Sequence, residues 1–380
     1  MPAPFGIYVH FPYCTARCPY CDFAVSTDPL IPQERYTRAI LRELELRATA
    51  FAHLEPRSLY LGGGTPSLWE PALVARVVGA VRARFTLPPD AEVTLEANPE
   101  SCQTDRLVAY RAAGVNRLSL GVQSFDRIVL AKLGRRHGPQ VAERAIRDAA
   151  ATVPNVAVDL IYGARRSSVS SARADAERLA ALPVKHVSAY ALTLDPEVLA
   201  EDVPLARAKR AGRLEFPPDA EVLAQAHAIR VALRRAGLRR YEISNFARVG
   251  FESAHNRVYW ASQSYLGLGC GAFGCLYGDS HALRWGNHRA PAAYLSAVEA
   301  GLLPSAEEER LGPRELADER LMLALRTTAG LALSELAPSR QSEVRALVHA
   351  HLAALLGDRL VLTARGMDVH SAVVERLMPT

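Results

Sequence analysis

The stretch HFPYCTARCPYCDF, residues 10–23, sets Cys14, Cys18 and Cys21 in a C-x3-C-x2-C spacing and then stops short of a fourth cysteine. Three thiolates this close together wrap one face of a compact metal centre, and on the residues alone two readings stay open. A structural zinc site would take its fourth ligand from farther along the chain, with His10 and Cys102 as candidates. A cubane [4Fe–4S] cluster takes one ligand per iron, so three thiolates leave one iron open to an exogenous ligand. Zinc loops of this kind usually come as paired C-x2-C knuckles, and no second knuckle follows, which favours the cluster.

Outward from this loop, strand-like runs alternate with amphipathic helical runs. GIYVHF, SLYLGGG, EVTLEAN, RLSLGVQ, NVAVDLIYG and HVSAYALT read as strands. Between them PQERYTRAILRELELRA, PALVARVVGAVRARF, TDRLVAYRAAG and SSARADAERLAAL read as helices; Tyr36, Ile40 and Leu44 share one face of the first. Such alternation predicts parallel βαβ units, in an open sheet or a barrel. The strands end in His10, in Gly62 to Gly64, and then in Glu96, Gln123 and Asp159. In parallel α/β architecture those carboxyl ends converge on one mouth, where ligands bind.

Past residue 200 the rhythm changes. PDAEVLAQAHAIRVALRRAGL predicts a long helix, followed by YEISNFA, the AHNRVYW segment and glycine-rich GLGCGAFG. From Ser305 the chain predicts a separate, mainly helical unit: helices over DERLMLALRTTAGL and SEVRALVHAHLAALLG, a strand at RLVLTARG and a last helix at HSAVVERLM. That order suggests a winged-helix-like module. The expected division is therefore 1–235 barrel, 236–304 connecting segment and 305–380 C-terminal unit.

Of the 380 residues, 49% are hydrophobic and 22% charged, the balance of a soluble globular chain, and no apolar run reaches the length of a membrane span. The amino-terminal residues lack a basic n-region, so no signal peptide is expected and a cytoplasmic location is. The net charge of +5 comes from arginines interleaved with Glu and Asp on helical stretches, which reads as solvated helix faces and not as a nucleic-acid surface. Crowded cysteines in a reducing compartment point to metal or redox chemistry. Cys102, Cys270 and Cys275 read as small buried residues.

The cysteine loop, together with GGGTP at Gly62 to Pro66, resembles the radical S-adenosylmethionine (SAM) superfamily. YVHFPYC, YLGGGTPSLW, TLEANPES, RLSLGVQSF, LGRRH, VDLIYG and YEISNFA narrow the likeness to the oxygen-independent coproporphyrinogen III oxidase group, over essentially the whole chain. The resemblance implies an α/β fold, a partial (β/α) radical-SAM barrel, with a small helical C-terminal domain. It implies a [4Fe–4S] cluster on Cys14, Cys18 and Cys21, with SAM on the open iron. It implies that Tyr8, Tyr20, Gly63, Gly64, Thr65, Glu96, Gln123, Arg135 and Asp159 contact SAM.

Two branches of the group are told apart by two features. The coproporphyrinogen III dehydrogenases, which decarboxylate two propionates to vinyls, continue the loop with another cysteine where this chain has Phe23. The HemW-type heme chaperones share the non-cysteine continuation, and they carry the HNRVYW-like motif, here His255, Asn256, Tyr259 and Trp260, associated with heme as cargo. The resemblance thus favours a heme chaperone, with acceptor apo-heme proteins, plausibly of respiration, as partners and an electron donor where the centre is redox-active. The chain departs from the group at Ala164, Arg165 and Arg166 after VDLIYG, at Phe273 where a histidine is frequent, and within TLDPEVLAEDVPL.

Overall fold

The computed structural model describes residues 2–195, 199 and 202–378; the TLDPEVLAEDVPL departure lies partly outside them, at 196–198 and 200–201. Six strands lead the fold: β1 (Pro4–Phe11), β2 (Glu55–Gly63), β3 (Glu92–Ala97), β4 (Arg117–Gln123), β5 (Asn155–Tyr162) and β6 (His186–Ala191). Each pairs in parallel with the next. Helices α1 (Gln33–Ala48), α2 (Pro71–Phe85), α3 (Thr104–Ala112), α4 (Arg127–Lys132), α5 (Pro139–Thr152) and α6 (Val169–Ala180) make the crossovers. Several start on the expected signals: Asp126 caps α4 through the backbone N–H groups of Ile128 and Val129, Ser168 closes a capping box on α6, and prolines open α2 and α5.

The strands are buried on both sides, and their two residue parities do different work. Ile7, Val9, Leu59, Leu61, Val93, Leu95, Leu118, Leu120, Val156 and Val158 belong to one continuous apolar core with Tyr36, Ile40 and Leu44 of α1 and Val74, Val77 and Val81 of α2. The alternate positions are polar: Tyr60, Glu96, Arg117, Ser119, Asp159, Ser188 and Tyr190 face a common cavity. Register sets Glu96 beside Ser119 and Asp159 beside Ser188.

Beyond α7 (Pro204–Arg210) and α8 (Asp219–Arg235) come β7 (Arg239–Arg240), β8 (Asn245–Ala247), α9 (Ala254–Trp260), β9 (Ser264–Leu268), β10 (Phe273–Tyr277), β11 (Ala282–Asn287), α10 (Pro291–Glu299) and β12 (Ser305–Leu311). These strands extend the sheet on both sides into an open strip of twelve, ordered β12-β11-β10-β9-β1-β2-β3-β4-β5-β6-β8-β7. The 236–304 segment, expected as a connector, thus supplies strands on both flanks, and the sheet runs on to Leu311.

The last unit comprises α11 (Pro313–Leu325), β13 (Leu331–Ala332), α12 (Gln341–His349), β14 (Ala353–Leu356), β15 (Arg359–Leu362), α13 (Ala364–Asp368) and α14 (His370–Leu377). Its strands form a separate sheet, β13-β15-β14, over a core of its own that includes Leu321, Leu325, Leu347, Leu360 and Val374. Helix, short strand, helix and hairpin in that order resemble a winged helix. The helix expected through SEVRALVHAHLAALLG ends at His349. His351 adopts a left-handed φ of 56°, which breaks the helix, and AALL becomes one arm of a hairpin that turns at Gly357.

Candidate cofactor site

The cysteine loop leaves the carboxyl end of β1 and is stitched to the end of β2 by backbone. Gly64 N–H donates to the Phe11 carbonyl at 2.8 Å, and Thr65 N–H to that of Tyr13 at 2.9 Å. Cys14 N–H donates to the Ser26 carbonyl at 2.9 Å, which closes the loop's base. A Cβ on Gly64 would lie 2.8 Å from the Tyr13 oxygen and 2.9 Å from Cys14 Sγ, so only glycine lets the strand end approach the thiol this closely. Gly63 has a left-handed φ of 112°, and a Cβ there would meet the His10 ring at 2.6 Å.

Cys14, Cys18 and Cys21 are free and half-buried, and they rim a cavity of about 560 Å³ inside the strand ends. Burial pushes the Cys14 thiol up to about 11 and raises that of Cys21. Thiols so placed ionise when a metal supplies the compensating charge, which fits the donor set to a thiolate-bound metal centre. The candidates for a fourth zinc ligand are engaged elsewhere. His10 shares hydrogen bonds with Tyr8 at Nδ1 and with the Ala24 carbonyl at Nε2, and Cys102 is buried and donates to the Asn98 carbonyl.

Of the residues expected to hold SAM, Tyr20, Gly63, Gly64, Thr65, Glu96, Gln123, Arg135 and Asp159 all line this cavity. Tyr8 is not among its lining residues; its hydroxyl bonds His10 Nδ1 at 3.0 Å. Glu96 accepts from the Tyr60 hydroxyl at 2.7 Å and from Gly63 N–H at 3.0 Å. Burial nonetheless lifts its carboxyl to about 7, with Asp159 adding to the rise. Asp159 is raised too, chiefly by burial, while Ser188, Arg117 and Ser119 pull it back. Gln123 is held at a φ of 70°, beside an irregularity in the β4–β5 register, so its side chain is aimed by a strained backbone.

Arg135 donates to Asn98 Oδ1 at 2.5 Å and to the Gly121 carbonyl at 2.9 Å, and its Nη1 lies 3.5 Å from Cys18 Sγ. Its Nε is buried and has no protein partner. Asn98, which also donates to Thr65 Oγ1 at 3.2 Å, ties the Arg135 and Thr65 positions together. It was not singled out from sequence, nor were Tyr60, Arg117, Ser119, Ser188 and Tyr190. The signal available was the recurrence of polar residues at inward positions of strands otherwise too apolar to face water.

The HNRVYW residues divide. Asn256 lines the cavity, whereas His255, Tyr259 and Trp260 do not. His255, expected to face heme, is 1% exposed and holds hydrogen bonds at both nitrogens: Nδ1 with Ser58 Oγ at 2.9 Å and Nε2 with the Tyr259 hydroxyl at 2.8 Å. Burial lowers its pKa to about 3, so the ring is neutral. Neither nitrogen is open to a heme iron in this conformation. Trp260 lies under the Arg326 guanidinium, 4.0 Å from its ring centroid, against the C-terminal unit. Phe23 is 60% exposed at the cavity rim, where it can neither ligate iron nor bury itself.

Residues 8–179 match the radical SAM superfamily. Along 99% of its length the chain is 38% identical to the heme chaperone HemW of Mycobacterium tuberculosis, of which it covers 95%. It is 36% identical to HemW of Escherichia coli over 77% of this chain and 76% of that one. It is 37% identical to the mitochondrial radical S-adenosyl methionine domain-containing protein 1 of Mus musculus, over 86% of this chain and 74% of that one. Among solved structures, coproporphyrinogen III oxidase (HemN) of Escherichia coli superposes with a TM-score of 0.81 at 22% identity, over 99% of this chain and 90% of that one, which carries the fold.

Proposed function

The chain belongs to the radical SAM superfamily and, within it, to the HemW-type family, and on that premise we propose that it binds heme and passes it to acceptor apo-heme proteins. The similarity of 38% over nearly the full length to a curated heme chaperone carries this reading. Phe23 in place of a further cysteine agrees with it, since the loop then keeps three thiols and an exposed aromatic ring at its rim.

In this reading Cys14, Cys18 and Cys21 would hold a [4Fe–4S] cluster, and the cavity they rim would hold SAM. When bound, a reduced cluster of this kind supplies an electron to the sulfonium carbon–sulfur bond. The chain's own residues bind and orient. Arg135, which lines the cavity, would pair its guanidinium with the methionine carboxylate. Ionised Glu96 and Asp159 accept hydrogen bonds from the amino group or the ribose hydroxyls, and Gln123 can donate or accept there. The glycines of β2 let backbone approach the amino-acid moiety. His255 contributes no axial ligand while both its nitrogens are held.

Anaerobic reconstitution should give iron and sulfide in the ratio of a cubane, and the loaded protein should shift the Soret band on heme titration and yield that heme to an apo-cytochrome. Incubation with reductant, SAM and coproporphyrinogen III should leave the porphyrinogen unchanged. Formation of protoporphyrinogen IX would replace the chaperone reading with the dehydrogenase.

A further inference from the structure

The His255 imidazole is wedged between two elements. One side touches Gly6 of β1, where a Cβ would come within 3.2 Å of the ring. On another side it stacks on Tyr60 of β2, with ring centroids 5.0 Å apart and planes 28° apart. Tyr60 is in turn stacked against Tyr8 at 6.1 Å, and the two tyrosines close over Gly62, where a Cβ would lie 2.9 Å from both rings. Tyr60 therefore has little freedom, and its hydroxyl, at the end of that clamp, donates to Glu96 Oε1 at 2.7 Å. Glu96 lines the cavity between the cysteine loop and the strand interior. A line of direct contacts thus runs from α9 to the carboxylate: Ser58 and Tyr259 fix His255, His255 and Tyr8 fix Tyr60, and Tyr60 orients Glu96.

We propose that His255 is a positioning residue for SAM, acting through Tyr60 on Glu96, and not an iron ligand; this rests on the reading that SAM occupies the cavity. An imidazole suits the position because it gives a flat face to Tyr60 and an in-plane hydrogen bond to each of two hydroxyls. An aliphatic side chain of similar size supplies neither. Tyr60 in turn suits Glu96 because its hydroxyl reaches the carboxylate from below and leaves the other oxygen's environment to Gly63 N–H.

Affinity for SAM should rise with pH as Glu96 ionises. The groups that face Glu96 are Tyr8 from β1, Tyr60 from β2, Arg117 from β4, Asp159 from β5, Tyr190 from β6 and Tyr259 from α9. Arg117 and the Tyr60 hydrogen bond favour its charged form, while burial and Asp159 oppose it. Removing the Tyr60 bond therefore moves the ionisation upward. The metabolite's own amino group titrates alike in every variant, so the difference from the parent is the readout.

The test is SAM titration of the reconstituted holoprotein by calorimetry, with perturbation of the reduced-cluster EPR signal as a second readout. His255→Ala and Tyr60→Phe should each weaken binding about tenfold and move the pH midpoint up by about one unit. The double variant should be no weaker than Tyr60→Phe alone, because both changes interrupt one line of contacts. Ser58→Ala, which removes only a hydroxyl from His255, should give a smaller shift in the same direction and guards against a His255→Ala chain that fails to fold. Variants with full iron content that bind SAM as the parent does would overturn the proposal. So would independent, multiplying effects in the double variant, or loss of heme binding with the SAM midpoint unmoved. A parent that binds no SAM at all would remove the SAM reading itself, an outcome told apart by the parent alone.

Discussion

Gly64 and Glu96 each constrain the candidate site, one sterically and one electrostatically. At Gly64 a single methyl group would press on a carbonyl oxygen and on Cys14 Sγ at once, and the carbonyl belongs to backbone that is itself bonded to Thr65. Gly64→Ala should therefore displace the cysteine loop, and iron incorporated on anaerobic reconstitution should fall to under half of the parent's while the far-ultraviolet spectrum is unchanged. Glu96 is electrostatic. Its folded pKa, about 7, lies above its usual value near 4.5, so the folded chain binds the proton more tightly than the unfolded one. Stability is then highest below the unfolded pKa and falls as pH rises from about 4.5 to 7. Glu96→Gln should accordingly stabilise the ligand-free chain by on the order of 2 kcal/mol at pH 8 and leave it unchanged at pH 4, read as melting temperature against pH. The cysteines, the glycines, Glu96, Gln123 and Asp159 were legible because a thiol triad, a strand-end glycine run and a polar residue closing an apolar strand are local signals, whereas Arg135, in the loop after α4, came only from the family resemblance. Tyr60 and Asn98 were less so, since a tyrosine within a strand and an asparagine before a proline have ordinary structural uses. The environment of His255 was not legible at all: Ser58 and Tyr60 reach it from a strand far away in the chain.

At the level of elements, the first six strands and four of their six helices could be read nearly to their ends, while α4 and α5 were not named. RLSLGVQ coincides with β4 and PALVARVVGAVRARF with α2, because a parallel strand buried on both faces and a helix with one apolar stripe each write a plain pattern. The strands from β9 to β12 had no such pattern. β12 reads SAEEERL and is exposed along most of its length, as suits an edge strand whose charges discourage pairing with another sheet. What anchors this second group of strands is a buried polar knot. Glu43 of α1 is fully buried and accepts from Arg47 Nε at 2.9 Å, Asn287 Nδ2 at 2.8 Å, Gly269 N–H at 2.8 Å and the Tyr294 hydroxyl at 2.8 Å. Arg47 is covered in turn by the Trp285 ring, 4.6 Å away. One carboxylate thus joins α1, the loop after β9, β11 and α10. Glu43→Ala leaves Arg47 Nε, Gly269 N–H and the Tyr294 hydroxyl buried without this acceptor, while Arg47 Nη2 keeps Asn287 and Ser305 and Asn287 Nδ2 keeps the Gly269 carbonyl, a loss of about 3 kcal/mol or more. The melting temperature should fall by about 4 °C or more. A smaller drop, within two degrees, would mean that the knot is not what holds these strands.

Across the whole molecule, the pairing that matters most joins residues distant in sequence: β9 lies parallel to β1, with Phe5 opposite Ser264. No local periodicity encodes such a partner, which is why 236–304 read as a connector and yet completes the sheet. The C-terminal unit shows the complementary case, since its separate core makes it legible as a unit while its attachment is not. Two part-buried clusters fasten it. Asp368 of α13 receives Arg230 of α8 at 2.8 Å and Arg240 of β7 at 2.9 Å. Glu242, fully buried, receives Arg326, at the C-terminal end of α11, at 2.8 Å, and Arg326 also covers Trp260 of the HNRVYW helix. Exposed ion pairs contribute little, but these are shielded, and an arginine left without its acceptor there is a buried charge without compensation. Interfaces of this kind between units of one chain open more readily than cores do, so opening is the first event that their loss should change. In the variant carrying Asp368→Ala and Glu242→Gln together, limited proteolysis should cut the chain near Gly312, between β12 and α11, at least about tenfold faster than in the parent. The three cysteines and the described residues lining the cavity all lie between 14 and 256, so iron and sulfide incorporation should stay at the parent's level. Faster cutting with normal cluster loading locates the weakness at the junction; unchanged cutting would mean that apolar contacts alone hold the unit, and lost loading would mean that the junction supports the barrel's mouth as well.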